Sequence, residues 1–480
     1  MPTSPSRSHS FTKPILYISS VALLVCSIFL IVNHPPAANR DNRSFDAATL
    51  ASSSCSAGLP PHGVSGFFDL PGTDESYFYY FAAARDRPMK EAPLVLWMSG
   101  GPGCSSLLGA LMENGPCRVR RGEDGVPIAE PNEFGWDGSA NMLWVDQPAG
   151  VGFSHSGSEE DDTSDMYSYD QVATKMLALL HRWQERFPGS HNGELFVFAE
   201  SFGGHYAPAV ARHYFDAERS GKAVPGLSLK GVGVGNGLTN PAIQYQYSAE
   251  FAFKNTYGIE AVNRSAYDKM LAAVPSCEEK IASCNEAGSK EGCVDAFMYC
   301  NNALTVPYVK SGRNIYDVRT MGDFKDDMAA VSEFVSSERI SKALDARSQP
   351  FNACNMDVYL RFLDDWMKEY DTALPEMLKH GVDILIYAGD ADFVCNWMGN
   401  LAWVKALQWE GQEEFNGGGM QKFVLEDGSV GGEGRTAKGK DTGRLSFLRI
   451  YEAGHLAPKD QPYATQQMIN RFIADGGVGV

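Results

Sequence analysis

Apolar positions along the chain fall into short runs that alternate with segments of helical spacing. One such run, residues 195–199, holds only Leu, Phe, Val and Ala and stops at polar and small residues. Runs of this kind are typical of strands buried on both faces of a sheet. Helical spacing occurs in residues 169–187, 206–218 and 462–474. This alternation predicts an α/β fold with a mostly parallel central sheet and helices on both faces. Further apolar runs occupy residues 93–98, 142–145, 229–235, 383–389 and 445–451.

The strand–helix alternation fails in the middle of the chain. We therefore expect residues 240–380 to form an inserted, largely helical cap subdomain, with residues 55–239 and 381–480 forming the core. An insertion of this kind accounts for a length of 480 residues, which exceeds one average domain. Residues 410–442, rich in glycine and charge, are expected to form a surface excursion.

The N-terminal segment, residues 1–54, has the pattern of a targeting sequence. Arg7 and Lys13 precede residues 15–32, which contain no charged side chain. This length fits either a signal peptide or a type II signal anchor, and small residues at 36–38 offer a cleavage site. A polar linker follows. Asn42 and Asn263 lie in N-glycosylation sequons, which matter if the chain enters the secretory route.

Composition narrows the class of partner. The chain is 44% hydrophobic and 21% charged, a balance typical of globular proteins with a large core. Its formal net charge of −18 argues against nucleic acid, because phosphates would be repelled. Such a surface keeps charge when carboxylates begin to protonate, which is compatible with an acidic compartment.

The sharpest chemical signal is the serine that ends the run at 195–199. Ser201 lies between a predicted strand and a predicted helix, and Ala199 and Gly203 leave room for a sharp turn. A serine at such a corner points its hydroxyl away from the sheet, as in the nucleophile elbow of α/β-hydrolases. An ordinary buried serine is the alternative interpretation of this segment alone.

An acid and a histidine follow in the order that such hydrolases use. Asp390 and Asp392 come directly after one apolar run, and His455 comes shortly after another. A serine hydroxyl needs a base within hydrogen-bond reach, and that base needs a carboxylate to fix its tautomer. Nucleophile, acid and histidine at the carboxyl ends of strands predict the α/β-hydrolase fold.

A glycine-rich loop follows the early run at 93–98. Residues 99–106 read Ser-Gly-Gly-Pro-Gly-Cys-Ser-Ser, and glycines let backbone N–H groups approach a ligand. A loop in this position is the expected source of one oxyanion-hole donor, and the N–H of Phe202 would be the second. Each donor typically contributes about 3 kcal/mol. A plain turn is the alternative.

The chain contains ten cysteines, which can form disulfides in an oxidising compartment. Cys26 lies in the N-terminal apolar segment, whereas Cys277, Cys284, Cys293 and Cys300 are clustered in the predicted cap. Their spacings of seven, nine and seven residues do not fit a zinc site, which prefers short Cys-x₂-Cys-like pairs. Nested disulfides are the better interpretation, and no metal or cofactor is expected.

Several motifs at matching spacing resemble the serine carboxypeptidase family of the carboxypeptidase Y type. The resemblance extends from about residue 66 to the C-terminus. It implies that Ser201 is the nucleophile, Asp392 the orienting acid and His455 the base, with Gly101 and Phe202 supplying the oxyanion hole. The motifs that carry it are residues 97–106, 146–154, 200–201, 235–239 and 387–397.

The resemblance also implies a binding site for the substrate's terminal carboxylate. Its positions here are Ser99, Gly100 and Glu200, with Glu113 supporting Glu200. Glu200 can bind a carboxylate only if a proton lies between the two groups, because two ionised carboxylates so close are not tolerated. We therefore expect peptidase activity to be best at acidic pH.

The family's disulfides and substrate pockets carry over to further positions. The implied disulfides are Cys277–Cys300, Cys284–Cys293 and Cys104–Cys354, and the remaining Cys55 and Cys117 are predicted to pair. Cys395 matches a free thiol that lines the pocket for the leaving residue. Trp366 resembles an acyl-side pocket wall and Leu456 a leaving-side one, although both fit a core role equally well.

Two departures from the family pattern affect the site. Ser99 stands where the family has asparagine, which replaces a two-donor amide by a single hydroxyl. Residues 199–203 read Ala-Glu-Ser-Phe-Gly instead of Gly-Glu-Ser-Tyr-Ala, which removes a tyrosine hydroxyl from the acyl side.

These features predict a lysosomal, vacuolar or secreted serine carboxypeptidase that acts on peptide and protein C-termini, with apolar residues favoured. The membrane is a partner only if the N-terminal segment stays attached. The alternatives are a carboxypeptidase-like acyltransferase or esterase, which the change at Ser99 keeps open, and a non-catalytic protective scaffold, against which the intact Ser-Asp-His set argues.

Overall fold

A computed structural model describes Cys55 and residues 63–157, 168–322 and 325–480 of the chain. The predicted targeting segment, with Cys26 and the sequon at Asn42, lies outside the described residues. Among the helices that are described, none combines the length and apolar character needed to cross a bilayer.

The strands predicted from the apolar runs form the centre of one large sheet. The described residues contribute β1 (Gly63–Asp69), β2 (Glu75–Ala82), β3 (Leu94–Met98), β4 (Cys117–Arg121), β5 (Pro127–Pro131), β6 (Asn141–Val145), β7 (His155–Ser156), β8 (Glu194–Glu200), β9 (Ser228–Gly235), β10 (Arg313–Asn314), β11 (Asp317–Met321), β12 (Asp383–Gly389), β13 (Gln421–Val424), β14 (Val430–Lys438) and β15 (Arg444–Ile450).

The sheet has the order β1-β2-β6-β3-β8-β9-β12-β15-β14-β13, and β7 pairs with β2. Strands β6, β3, β8, β9, β12 and β15 run parallel to one another, whereas the pairs at both margins are antiparallel. Their carboxyl ends therefore meet at one edge of the sheet. The predicted α/β-hydrolase architecture is confirmed, with helices covering both faces.

The helices begin and end close to the predicted positions. Residues 169–187 were expected to be helical and form Tyr169–Arg186, and residues 462–474 form Pro462–Asp475. The other α-helices of the described residues are Ser106–Leu108, Gly203–Arg219, Pro241–Gln244, Ser248–Phe253, Arg264–Ala287, Lys290–Cys300, Val306–Val309, Lys325–Ser336, Glu338–Ala343, Met356–Arg361, Leu374–Lys379, Trp397–Ala406, Gln412–Gly417 and Ala457–Asp460.

The prediction that residues 410–442 form a surface excursion is wrong in part. Strands β13 and β14 lie there, and β14 pairs along its length with β15. The glycines in this segment, which suggested a loop, allow β14 to approach the backbone of β15 closely. A Cβ on Gly432 would lie 2.2 Å from the carbonyl oxygen of Arg449, and one on Gly434 would lie 2.3 Å from that of Phe447.

Residues 240–380, the segment predicted to be an insertion, are mainly helical where the structure describes them and also contain the β10–β11 hairpin. Its buried apolar side chains form a cluster around Cys277–Cys300 and Cys284–Cys293. A larger cluster spans the central sheet and its helices, and Trp366 and Trp397 pack against both. The exact division at residues 240 and 380 stays a prediction.

A buried ion pair fastens the first hairpin to the helix Tyr169–Arg186. Lys175 Nζ lies 2.5 Å from Glu75 Oε1, and the two side chains are 8% and 1% exposed. Removing one partner of such a pair leaves an uncompensated buried charge, so substitution of either residue is expected to be destabilising.

Candidate active site

Ser201 occupies the sharp corner that its sequence predicted. It follows β8 and precedes the helix Gly203–Arg219, and its φ of 65° lies in a region that a non-glycine residue rarely adopts. Its N–H donates to the carbonyl of Gly235 at 3.1 Å. A Cβ on Gly204 would lie 2.4 Å from the carbonyl oxygen of Leu238, so this turn needs glycine.

Asp392 and His455 come together at the same edge of the sheet. Asp392 follows β12, His455 follows β15, and these strands are neighbours. Nδ1 of His455 lies 2.8 Å from Oδ2 of Asp392, and both side chains are buried. Nε2 of His455 is also buried and makes no hydrogen bond to a described residue. That nitrogen is therefore available to a hydroxyl, and such contacts often tighten only when substrate binds.

Asn236 holds the Asp392 carboxylate from the neighbouring strand end. Its Nδ2 donates to Oδ2 of Asp392 at 2.9 Å, and its Oδ1 accepts from the N–H of Gly389 at 3.0 Å. The backbone N–H groups of Val394 and Cys395 also donate to Asp392, at 3.1 and 3.2 Å. Sequence reasoning placed Asn236 in a family motif but assigned it no contact with the acid.

The glycine loop after β3 packs directly against the serine corner. A Cβ on Gly100 would lie 2.5 Å from both the carbonyl oxygen of Glu200 and the nitrogen of Phe202, and 2.8 Å from Cβ of Ser201. Gly101 follows with a φ of 108°, which also favours glycine. The loop backbone thus lies within van der Waals reach of Ser201.

Replacing Gly100 by alanine is expected to lower kcat/KM by about 100-fold, because the added methyl group pushes the loop away from the serine corner. It should also cost about 1–3 kcal/mol of stability, since the clashing atoms belong to the backbone. Steady-state kinetics and thermal unfolding measure the two effects. Gly417 is the matched control, because a Cβ there meets no atom within 4 Å. Unchanged kinetics in Gly100→Ala would contradict close packing of the glycine loop against Ser201.

Asp146 anchors the other end of the glycine loop. Its Oδ1 accepts from the Ser105 hydroxyl at 2.6 Å and from the Ser106 N–H at 2.9 Å, and its Oδ2 accepts from the Phe153 N–H at 3.0 Å. Burial raises the pKa of Asp146 to about 6, whereas these hydrogen bonds act in the opposite direction. Sequence reasoning quoted this residue in a motif without assigning it a role.

Glu113 and Glu200 form a buried carboxyl pair beside Ser201. Glu113 ends the π-helical turn Gly109–Glu113, and Glu200 ends β8; the two side chains share a hydrogen bond. Burial raises the pKa of Glu113 to about 7. Burial and then the charge of Glu113 raise the pKa of Glu200 well above its ordinary value. The pair therefore retains a proton at pH values where an exposed glutamate has lost it.

Ser99, at the start of the glycine loop, is buried and its hydroxyl is already engaged. Nε1 of Trp97 donates to Oγ of Ser99 at 3.3 Å, and the Ser99 N–H donates to the Ser106 hydroxyl at 3.0 Å. The hydroxyl can still donate its own proton. It thus offers a bound carboxylate one donor.

The predicted pocket residues lie around this centre. Cys395 is buried, and burial raises the pKa of its thiol well above the ordinary value, so the group is a neutral thiol. Trp366 is partly buried, with its ring centroid 5.2 Å from that of Phe202, and its Nε1 donates to the Tyr245 hydroxyl at 3.1 Å. Leu456 is partly exposed beside His455.

A group of potential metal ligands coincides with the acid–histidine pair. One atom each of Asp392, Cys395 and His455 lies within 4.8 Å of the others. The Nδ1 atom of His455 is engaged by Asp392, and the buried thiol is not ionised. Cysteine binds a metal as a thiolate and histidine through a free ring nitrogen, so this set fits a hydrogen-bonded pair better than a metal.

Within the described part of the chain, four disulfides connect cysteines in the expected pairs. The structure contains Cys55–Cys117, Cys104–Cys354, Cys277–Cys300 and Cys284–Cys293, and Cys395 is a free cysteine. Asn263 is exposed and caps the helix Arg264–Ala287 through its side-chain oxygen, which leaves its amide nitrogen on the surface.

Comparisons with known proteins agree with this geometry. A family profile described as serine carboxypeptidase matches residues 57–475. The chain is 36% identical over 418 residues to carboxypeptidase Y homolog A of Aspergillus clavatus, covering 85% of this chain and 73% of that protein. It is 34% identical over 421 residues to serine carboxypeptidase 3 of Oryza sativa subsp. japonica, covering 86% and 80%. Its fold is similar to that of Kex1(delta)p, a prohormone-processing carboxypeptidase from Saccharomyces cerevisiae, with a TM-score of 0.73, 23% identity and coverage of 87% and 92%.

Proposed function

The chain belongs to the serine carboxypeptidase family, and from that premise we propose that Ser201, Asp392 and His455 form its catalytic triad. The enzyme is a serine-type carboxypeptidase, a hydrolase that removes residues from the C-termini of peptides and proteins. The observation that carries the assignment is the buried hydrogen-bonded pair of His455 and Asp392 at the sheet edge where Ser201 ends its strand. Release of C-terminal amino acids from a peptide library by the purified protein tests it.

In the proposed mechanism His455 takes the proton of the Ser201 hydroxyl through Nε2 as the oxygen attacks the scissile carbonyl carbon. Asp392 accepts the Nδ1–H hydrogen bond, which fixes the tautomer and stabilises the imidazolium. The imidazolium then donates the proton to the leaving amine, the C–N bond breaks, and an acyl-enzyme remains. Water hydrolyses that ester by the same two proton transfers, which regenerates Ser201.

The oxyanion hole in this proposal consists of the N–H groups of Gly101 and Phe202. Support comes from the packing of the glycine loop against Ser201 and from the position of Phe202 at the start of the following helix. Donors fixed in the backbone need no reorganisation when charge develops on the carbonyl oxygen.

We propose that the substrate's terminal carboxylate binds to Glu200, Gly100 and Ser99, with Glu113 supporting Glu200. Two ionised carboxylates cannot share a buried site, so the proton held by the glutamate pair must bridge Glu200 and the substrate. Since both pKa values are raised, that proton is present at acidic pH and is lost only at pH values above those at which an exposed glutamate ionises.

Peptidase activity is therefore expected to be highest at acidic pH and to fall above neutrality, whereas hydrolysis of an ester that lacks a free carboxylate should persist. The kcat/KM profiles of both substrates between about pH 4.5 and 8 measure this difference. Glu200→Gln keeps a neutral hydrogen-bonding group, so its peptidase profile should lose the decline on the alkaline side. A flat peptide profile for the parent enzyme would exclude the bridging proton.

The proposed preference for apolar residues rests on the walls around the triad. Trp366 and Phe202 line the acyl side, and Leu456 and the neutral thiol of Cys395 lie near the leaving side. Apolar surface of this kind favours apolar side chains. Sequencing the residues released from a mixed peptide library tests the preference.

Acyl transfer to an alcohol is the second candidate function, because an acyl-enzyme does not dictate its acceptor. The hydroxyl of Ser99 favours this alternative, since it offers one donor where an amide would offer two, and its oxygen already accepts a hydrogen bond from Trp97. A blocked dipeptide and a glucose ester separate the two functions. Turnover of the ester alone would exclude the carboxypeptidase assignment.

Four disulfide bonds are typical of proteins that fold in an oxidising compartment, so this is a protein of the secretory route. We propose the vacuole or lysosome as its destination, or secretion, because the expected acid optimum matches an acidic lumen. Glycosylation at Asn263 belongs to the same proposal, and a mass shift after enzymatic deglycosylation tests it.

A further inference from the structure

Asp390 has no role in the proposed mechanism, although it lies two residues before Asp392 and is equally enclosed. It is 3% exposed. Its carboxylate accepts three hydrogen bonds: from the Tyr257 hydroxyl, from Nη2 of Arg449 at 3.1 Å, and from the backbone N–H of Glu452 at 2.9 Å. Buried carboxylates with this many partners are held in one orientation.

Arg449 is the fixed cation of this cluster. It is 8% exposed and lies near the end of β15. Its guanidinium stacks over the ring of Trp397 at 4.2 Å, and its nitrogens donate to Glu433 at 2.9 Å and to the hydroxyl of Thr256 at 2.8 Å. A planar group with partners in several directions cannot move without breaking them.

The cluster joins the two loops that carry the acid and the base of the triad. Asp390 begins the loop that leads to Asp392, and Glu452 lies three residues before His455, at a turn where its φ is 54°. The Asp390 carboxylate therefore connects one loop to the backbone of the other. Backbone hydrogen bonds reinforce the connection, from Asp390 to Ile450 at 3.0 Å and from Ala391 to Ala453 at 2.8 Å.

We propose that Asp390 and Arg449 are positioning residues that fix the separation and orientation of Asp392 and His455. Tyr257 and Thr256 belong to the inserted segment, so the same cluster also fastens that segment to the core behind the triad. The inference rests on the proposed triad and deepens it. Neither residue touches the substrate.

An amide in place of the Asp390 carboxylate cannot satisfy the same partners. The donors of Tyr257, Arg449 and Glu452 converge on two oxygens, whereas asparagine offers one accepting oxygen and an NH₂ group. Whichever way the amide turns, its NH₂ faces at least one donor. The loops must then shift, and a displacement of about 1 Å costs roughly 100-fold in rate.

The experiment compares Asp390→Asn and Tyr257→Phe with the parent enzyme on a peptide and on an ester. We expect Asp390→Asn to lower kcat by about 10- to 100-fold on both substrates with KM within about twofold. Tyr257→Phe removes one donor and should lower kcat a few-fold. The low-field proton resonance of the His455–Asp392 hydrogen bond should move in both variants, which a purely stabilising role would not cause.

Lys175→Met is the control, because it breaks another buried ion pair, whose Glu75 lies on β2, separated from β8 by β6 and β3. It should lower the melting temperature and leave kcat unchanged. A parent-like kcat in Asp390→Asn, with a fall in melting temperature like that of Lys175→Met, overturns the proposal. If Asp390→Asn does not fold, Tyr257→Phe decides, and parent-like kinetics and resonance there overturn it. Activity that survives in Ser201→Ala would instead reject the triad, so the two failures are distinguishable.

Discussion

Ser201→Ala is expected to lower kcat on peptides and esters by about 10⁶-fold, because the acyl-enzyme cannot form without the hydroxyl oxygen. Labelling of the protein by diisopropyl fluorophosphate should disappear with it. Substrate binding should change little, since the residues that bind the terminal carboxylate and those that line the pockets remain. Steady-state kinetics on highly purified protein, together with mass spectrometry of the labelled chain, measure both effects.

Ser220→Ala serves as the control for this substitution. Ser220 caps the other end of the helix that begins after Ser201, is exposed and lies outside the proposed site. The Ser220→Ala variant should react with the fluorophosphate at the same rate as the parent enzyme. Full labelling of Ser201→Ala, or parent-like turnover by it, would reject Ser201 as the nucleophile.

Asp392→Asn should lower kcat by about 10⁴-fold with little change in KM. The Asp392 oxygens receive hydrogen bonds from Asn236, Val394 and Cys395 in addition to facing His455. An amide must present its NH₂ to one of these donors, or to Nδ1 of His455, where it stabilises the wrong tautomer. The imidazole then cannot accept the serine proton through Nε2.

Steady-state kinetics on an activated ester check this effect, because acylation by an ester is sensitive to the base. Asp216→Asn is a suitable control, since Asp216 forms an exposed ion pair with Arg212 on one helix, and such pairs contribute little to stability. A loss smaller than about tenfold in Asp392→Asn would mean that the tautomer of His455 is set by another group.

The strands and the order of the triad were predictable because both depend on local sequence. Strands buried on both faces need continuous apolar runs, and the residues that follow parallel strands meet at one edge of the sheet. Ser201, Asp392 and His455 each follow such a run. The glycine loop was predictable for the same reason, since it follows β3 at that edge.

The supporting contacts were not predictable, because they join residues that are remote in sequence. Asn236 and Asp392 are 156 positions apart, and no local pattern distinguishes this asparagine from one in a turn. Asp146 and Asp390 belong to the family motifs, but the sequence alone gives them no role, because most of the groups that donate hydrogen bonds to their carboxylates come from other parts of the chain. The glycines of β14 led to the wrong prediction of a surface excursion for a related reason. Only the neighbouring backbone of β15 explains why these positions exclude a side chain.

The bond between Cys104 and Cys354 has a practical consequence for making the enzyme. It spans 250 residues and anchors the loop three positions after Gly101 to the segment before the helix Met356–Arg361. Backbone hydrogen bonds from Ser105 to Ala353 and from Asn355 to Gly103 flank it, both at 2.8 Å. Recombinant chains made in a bacterial cytoplasm keep their thiols reduced and lack this tether. Export to the periplasm or expression in a eukaryotic host, with reductants omitted from every buffer, is therefore the route to active material.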